Sequence, residues 1–363
     1  MTNVPARTWF VITSGVLALL SLKAPVDAEE PRQAKSSPDV VIYEGTYPGW
    51  PWVTAGADGT LYCVFREGTE HGFSAAGKAL FTKSTDRGRT WSPVKVIVDQ
   101  PGIDDRNVAI VELPDRDLFV TYNTYVLDPG TKKTTSQVMS VRSKNGGQSW
   151  DQPRVGPVSN SQSKSAAVVL KDGTLAWPYY IAPMNGAVLS ISKDLGETWT
   201  SVRIPESGAF TGDEWDLVER EPGHLIGVFR NANRTRPAAL CFAESQNGGV
   251  TWSVPTSTNL ATGIFAPGQI FLQGKARTPT VIYPDRRMVS VSAARTSDKS
   301  MKTWDTEDRL RCYLYNADES RIPDGSYAVS APTGPNERIV VDYEIRPGSK
   351  RITGYFVEFP EDW

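Results

Sequence analysis

In the stretch GDEWDLVEREPGHLIGVFRN, residues 212–231, an acid and a base bracket what looks like a tight turn: Glu214 near the start and Arg230 near the end. A carboxylate can take up a proton, and a guanidinium can grip an oxyanion through paired hydrogen bonds. The centre of the stretch is Glu-Pro-Gly-His, and Pro-Gly between alternating apolar runs predicts a hairpin turn at Pro222. If WDLVE and LIGVF pair as antiparallel strands, Glu214 and Arg230 face each other within about 5 Å at the backbone. An ordinary cross-strand ion pair would use the same two residue types, so the choice falls to the elements around them.

Those elements repeat. STDRGRTW (84–91), SKNGGQSW (143–150), SKDLGETW (192–199) and SQNGGVTW (245–252) are four copies of one pattern. Its Asp or Asn can bond amides of its own turn, its Gly accepts positive φ, and its Trp buries a large ring that fastens the loop. A fifth copy, SDKSMKTW (297–304), has Lys299 and Met301 where the pattern has Asp and Gly. Its Trp304 is therefore expected to be held less tightly than Trp199. Ahead of each good copy sit an apolar strand, a turn (GADG, LPDRD, LKDG, EPGH) and a second strand, with a third strand running into the box. VIYPDRRMVSVSA and SAPTGPNERIVVDYE repeat the strand–turn–strand without a good box. Six such units, two of them degenerate, predict an all-β fold, a six-bladed β-propeller. The first strand of each blade lines the central channel, so Glu214, which begins one, is expected to point into the channel mouth.

The remaining composition sets bounds. A formal net charge of −2 and 22% charged residues give no electrostatic case for nucleic acid or an anionic membrane as partner. Residues 1–28 carry Arg7, the apolar run FVITSGVLALLSL and the small-residue ending APVDA, the layout of a secretory signal peptide cleaved after Ala28. The run is shorter than the roughly 20 residues a spanning helix needs, so no membrane span is expected. Residues 29–43 read as a linker and 44–363 as one domain, secreted or periplasmic. Cys63, Cys241 and Cys312 are odd in number, lie in apolar runs and lack zinc spacing, so buried free thiols are expected. With only two histidines, no metal site and no cofactor is expected.

The box S-x-D-x-G-x-T-W is the Asp-box, and with it the chain resembles the sialidase (neuraminidase) superfamily from about Glu44 to the end. EWDLVEREPGHLIGVFRN is similar to the segment in which a glutamate opens one strand and an arginine closes the next. GSYAVSAPTGPNERIVVDYE resembles the segment of the nucleophilic tyrosine, which places that role on Tyr327, and KRITGYFVEFPEDW resembles the closing strand. The resemblance implies an exo-acting glycoside hydrolase for a terminal acidic sugar. A carboxylate on the anomeric carbon would repel a carboxylate nucleophile, so a neutral phenol is the sensible attacker. Its ordinary pKa near 10 calls for a base beside it, which would be Glu214. Arg230 matches the second arginine of the family's triad, and DRLRCYLYNADES favours Arg309 as the third, with Arg311 and Arg295 as alternatives.

The sequence also departs from that pattern. The first arginine should precede Ile-Pro, and here the place reads YPGWPWV. Arg66, which closes the second strand of the same blade, and Arg106, which opens the inner strand of the next, are the substitutes, although Asp104 and Asp105 could pair with Arg106. The acid/base aspartate is absent from EGTEHGFSAAGKAL, leaving Glu67, Glu70 and His71. His71 is the replacement, since imidazole works as an acid near neutral pH. Trp50 and Trp52 could form a sugar-stacking platform at the mouth or fill the core between blades, and Trp50 is taken as the platform. Two further readings stay open: a propeller lyase or hydrolase of uronic-acid glycans using His71 and Tyr327, and a non-catalytic propeller that binds acidic glycans. The sequence does not set the oligomeric state.

Overall fold

The computed structural model describes residues 34–183, 186–232, 238–263, 266–286, 290–306, 310–314, 326–360 and 363. Residues 1–28, expected from the sequence to be a signal peptide, and Arg309 lie outside them. Among the described residues every regular element is a strand, and the strands form six separate antiparallel sheets. The inner strands, in chain order, are Pro48–Ala55, Asp104–Glu112, the interrupted pair Ser161–Gln162 and Val168–Val169, Gly212–Glu221, Gln269–Gln273 and Val329–Pro332. Blades 1 to 6 are numbered by these strands. Neighbouring blades pack along them, and the last lies beside the first, so the ring closes as a six-bladed propeller. No helix among the described residues is long and apolar enough to cross a membrane.

Middle strands lie between the blades on either side, so both faces are covered. LYCVFRE, Leu61–Glu67, is buried at all seven positions, which is why it reads as a continuous run and not as an alternation. In the last blade the outermost strand is Val40–Glu44, paired antiparallel with Ser349–Glu358. The N-terminal segment thus clasps the C-terminal sheet. The propeller begins at Val40, inside the stretch 29–43 that reads as linker. In this blade the place that a box would lead into, the outer strand, is taken by Val40–Glu44 from the far end of the sequence.

The four good boxes share one turn, although the Trp150 ring N–H of the second finds no partner. In the first, the Ser84 hydroxyl accepts from the Gly88 amide (2.8 Å), Asp86 accepts from the amide and hydroxyl of Thr90 (2.9 and 2.6 Å), and the Trp91 ring N–H donates to the Gly88 carbonyl (3.0 Å). The fifth copy corrects the expectation about Trp304. Asp298, one residue earlier than the pattern asks, accepts from the Thr303 amide (3.0 Å), and Met301 adopts the positive φ of 57° itself. Trp304 is 2% exposed and donates to the Met301 carbonyl (2.8 Å), whereas Trp199 in an intact box is only partly buried. The apolar Met301 side chain supplies core contacts that glycine could not. Cys63, Cys241 and Cys312 are free and buried, and burial pushes the Cys241 and Cys312 thiols up to about 11 and about 12.

Candidate functional site

The hairpin forms with Glu221 opposite His224 and Gly223 at a φ of 76°, so the turn is Pro222–Gly223. At its far end the register slips between Gly212 and Trp215, a bulge that re-aims Asp213 and Glu214. Corresponding slips occur in the inner strands of blade 1, between Gly49 and Trp52, and blade 2, between Arg106 and Ala109. Trp50 and Asn107 take positive φ at these bulges. Three blades therefore use one device to turn a side chain at the start of the inner strand.

Arg230 reaches Glu214 Oε2 at 2.7 Å through Nη1. Its Nε and Nη2 both bond Asp213 Oδ2 at 2.7 Å, so two adjacent carboxylates hold the guanidinium. Tyr327, just ahead of the blade 6 inner strand, donates its phenol to Glu214 Oε1 (3.3 Å) and accepts from Arg230 Nη1 (3.2 Å). Residues more than ninety positions apart thus meet at one oxygen. Enclosure by neighbours and the Glu214 charge raise the phenol pKa above its ordinary value, while Arg230 and Arg286 pull the other way.

Arg286 is the mouth residue that sequence reasoning missed. It directly follows the second strand of blade 5, Thr278–Asp285, and its charge is felt by both Tyr327 and His71. A positional signal existed: Arg66 and Arg230 also lie near the ends of the second strands of their blades. Arg295 instead lies over the Trp363 ring (5.2 Å), and Arg311 is exposed on the outer strand of blade 5.

The two substitute arginines are spoken for. Arg66 is 0% exposed and forms a two-pronged pair with Asp104, Nε to Oδ1 at 2.7 Å and Nη2 to Oδ2 at 2.8 Å. Its Nη1 donates to the Glu70 carbonyl (2.7 Å). Arg106 donates to the carbonyls of Gly72 (3.1 Å) and His71 (3.2 Å), reaches Asp104 at 3.5 Å, and is sandwiched between the rings of Trp50 (4.1 Å) and Tyr125 (4.5 Å). Both arginines therefore anchor the loop after Glu67, and Arg66, whose side chain has no exposed surface, is corrected as an expected substrate ligand. Asp105 turns away to Gln100. Trp50 is corrected as well: at 5% exposure, with Arg106 over its ring, it is a wedge and not an open platform. Trp52 is also buried, near the Lys164 ammonium (5.5 Å).

His71 sits at the rim, its ring edge-on to Trp50 at 5.1 Å and to Tyr47 at 6.4 Å. Burial, then the charges of Arg106, Arg66 and Arg286, lower its pKa to about 4. The residue as a whole is exposed, which weakens the burial effect, but three guanidinium charges act in the same direction and fix the sign. The lowered value favours the neutral imidazole near physiological pH. His224 is half-buried at the hairpin turn, 2.9 Å from Glu244.

The sequence pattern of the BNR repeat-like domain matches residues 124–311, more than half of the chain. The chain belongs to the BNR repeat-like family. Among solved structures, this BNR-repeat propeller is similar to a protein of unknown function from Dyadobacter fermentans DSM 18053, at 19% identity over 90% of this chain and 99% of that one, TM-score 0.76. It is also similar to the NanB sialidase of Streptococcus pneumoniae, at 13% identity over 89% and 71%, TM-score 0.67. The alpha-L-arabinanase of Penicillium chrysogenum matches at 13% identity over 89% and 98%, TM-score 0.61. At such identities the likeness is one of fold, shared by neighbours named for different sugars. No curated protein matches the BNR-repeat chain significantly.

Proposed function

We propose that this BNR-repeat protein is an exported glycoside hydrolase that releases a terminal acidic sugar. One observation carries the reading: the Tyr327 hydroxyl lies 3.3 Å from a carboxylate and 3.2 Å from a guanidinium, both delivered by the blade 4 hairpin. A phenol with a raised pKa is a poor nucleophile until a base takes its proton, and Glu214 is within reach to do so. The Tyr327 oxygen attacks the anomeric carbon, its proton passes to Glu214, and the bond to the leaving oxygen breaks as that oxygen takes up a proton from solvent. Water then attacks the anomeric carbon and gives up one proton to solvent, the bond to the Tyr327 oxygen breaks, and Glu214 returns its proton to the phenolate. Arg230 and Arg286 face the sugar's carboxylate, and the neutral nucleophile avoids repelling it.

A second reading, binding of acidic glycans without turnover, is favoured by the low pKa of His71, which leaves no protonated imidazole at the rim near neutral pH. One experiment separates the two. The purified protein is offered 4-methylumbelliferyl glycosides of sialic acid, glucuronic acid and a neutral sugar, alongside calorimetric titration with the free sugars. Release of fluorophore from an acidic glycoside that is abolished by Tyr327→Phe and reduced at least about 100-fold by Glu214→Gln supports the hydrolase. Heat of binding without release supports the binding module, and full activity of both variants removes the Tyr–Glu mechanism.

A further inference from the structure

Behind the phenol lies a buried carboxylate. Asp342, on the second strand of blade 6, is 2% exposed. Its Oδ1 accepts from the backbone amides of Tyr327 and Tyr343, each at 2.9 Å. Its Oδ2 accepts from the Tyr313 hydroxyl at 2.6 Å. Tyr313 is itself locked, 1% exposed and stacked on Tyr355 with ring centroids 3.7 Å apart and planes 1° from parallel. Immediately before Tyr327, Ser326 is at a φ of 66°, a left-handed conformation that a non-glycine residue keeps only where its surroundings impose it.

We propose that Asp342 is the positioning residue of Tyr327: anchored by Tyr313, it ties the Tyr327 amide down beyond the left-handed Ser326 and so sets where the phenol meets Glu214 and Arg230. The same oxygen accepts from the amide of Tyr343, whose ring packs 6.3 Å from Tyr327 and 6.0 Å from Trp50, so the amides of both tyrosines beside Trp50 bond one carboxylate. A carboxylate suits the place because it accepts three hydrogen bonds and donates none, whereas a neutral side chain of this size offers fewer acceptor sites. The charge is buried, but two amide dipoles and a phenol point at it. Tyr313 makes the device more than local, since a residue of blade 5 then fixes the aim of a residue of blade 6.

This inference rests on reading Tyr327 as the nucleophile, and its test has an arm that does not. Variants Asp342→Ala, Asp342→Asn and Tyr313→Phe are compared with Tyr327→Phe on the acidic 4-methylumbelliferyl glycoside that the protein cleaves, and amide hydrogen exchange is followed over residues 326–331. A misplacement of about 1 Å costs roughly 100-fold in rate. Asp342→Ala is therefore expected to lower kcat about 100-fold with KM within about 2-fold, while the midpoint of thermal unfolding shows a protein still folded. Asp342→Asn, whose amide oxygen can still accept from both N–H groups, is expected to recover most of that loss, and Tyr313→Phe to fall between wild type and Asp342→Ala. Exchange at 326–331 is expected to rise in Asp342→Ala and not in Tyr327→Phe. Unchanged kcat in Asp342→Ala while Tyr327→Phe is inactive overturns the proposal, as does an equal rise of KM and loss of kcat with no recovery in Asp342→Asn. If Tyr327→Phe is fully active or no glycoside is cleaved, the nucleophile reading falls, and unchanged exchange in Asp342→Ala then overturns the anchoring too.

Discussion

Arg66 and Asp104 close a two-pronged ion pair between the first and second blades, with neither side chain exposed. Asp104 also accepts from the Ser74 amide (3.0 Å) and faces Arg106, so one carboxylate holds two arginines and the loop they carry. Removing one partner of a buried pair strands the other charge, which costs about 3–5 kcal/mol. Asp104→Asn is expected to lose stability in that range, read as a lower denaturant midpoint at unchanged slope. The same change in Asp58, whose pairing with Arg116 is exposed, is expected to alter the midpoint far less.

His71 gives a prediction in pH. Its unfolded value is about 6.5 and its folded value is lowered to about 4. Between these values the unfolded chain takes up a proton that the folded chain refuses. The contribution to stability is complete above about 6.5 and is lost as pH falls towards about 4. The imidazole C–H resonance of His71 is expected to titrate near the lower value, and Arg106→Gln to move that midpoint upwards. A midpoint at the ordinary histidine value in the wild type would contradict the electrostatics described above.

The substrate clamp predicts a selective defect. Arg230→Lys loses the planar fork that bonds Asp213, Glu214 and the Tyr327 hydroxyl together. Binding of an acidic sugar is expected to weaken at least about 10-fold, measured by titration, while a neutral analogue lacking the carboxylate is held nearly as before. Equal weakening for both ligands would place Arg230 in a purely structural role.

Trp304 and Trp199 offer a test of packing against motif quality. Trp304 is 2% exposed and joins a core with Met301, Tyr283 and Phe242, whereas Trp199 is only partly buried. Trp304→Ala is expected to cost about 3–5 kcal/mol and Trp199→Ala less. The reverse ranking in urea midpoints would mean that the box signature, and not burial, governs how tightly the ring is held.

Deleting the chain through Glu44 removes the strand that covers Ser349–Glu358. An open strand edge is a template for pairing with other chains. The truncated protein is expected to melt lower and to self-associate, seen by light scattering, whereas removal of residues 1–28 alone is expected to leave both unchanged.

Local order was legible in the sequence. The box recurs because each copy closes its own turn through bonds between residues two to four apart, as Ser84, Asp86, Gly88 and Thr90 do, so the pattern survives in any one window of sequence. The Pro222–Gly223 turn likewise sets Glu214 against Arg230 from within a single hairpin. Other relationships are set only when the ring closes. Arg66 meets Asp104, Tyr327 meets Glu214, and Val40–Glu44 meets the last strand because a propeller brings strand ends together from blades far apart in the chain. Residue types announced the arginines of the mouth and raised Asp104 as a partner of Arg106, but not that Asp104 would also hold Arg66, nor that the charge of Arg286 would act on Tyr327. A guanidinium in a sequence shows what it can bond. Which acceptor it finds is decided by the neighbouring blade, because buried charges settle on the partners that tertiary packing places within reach.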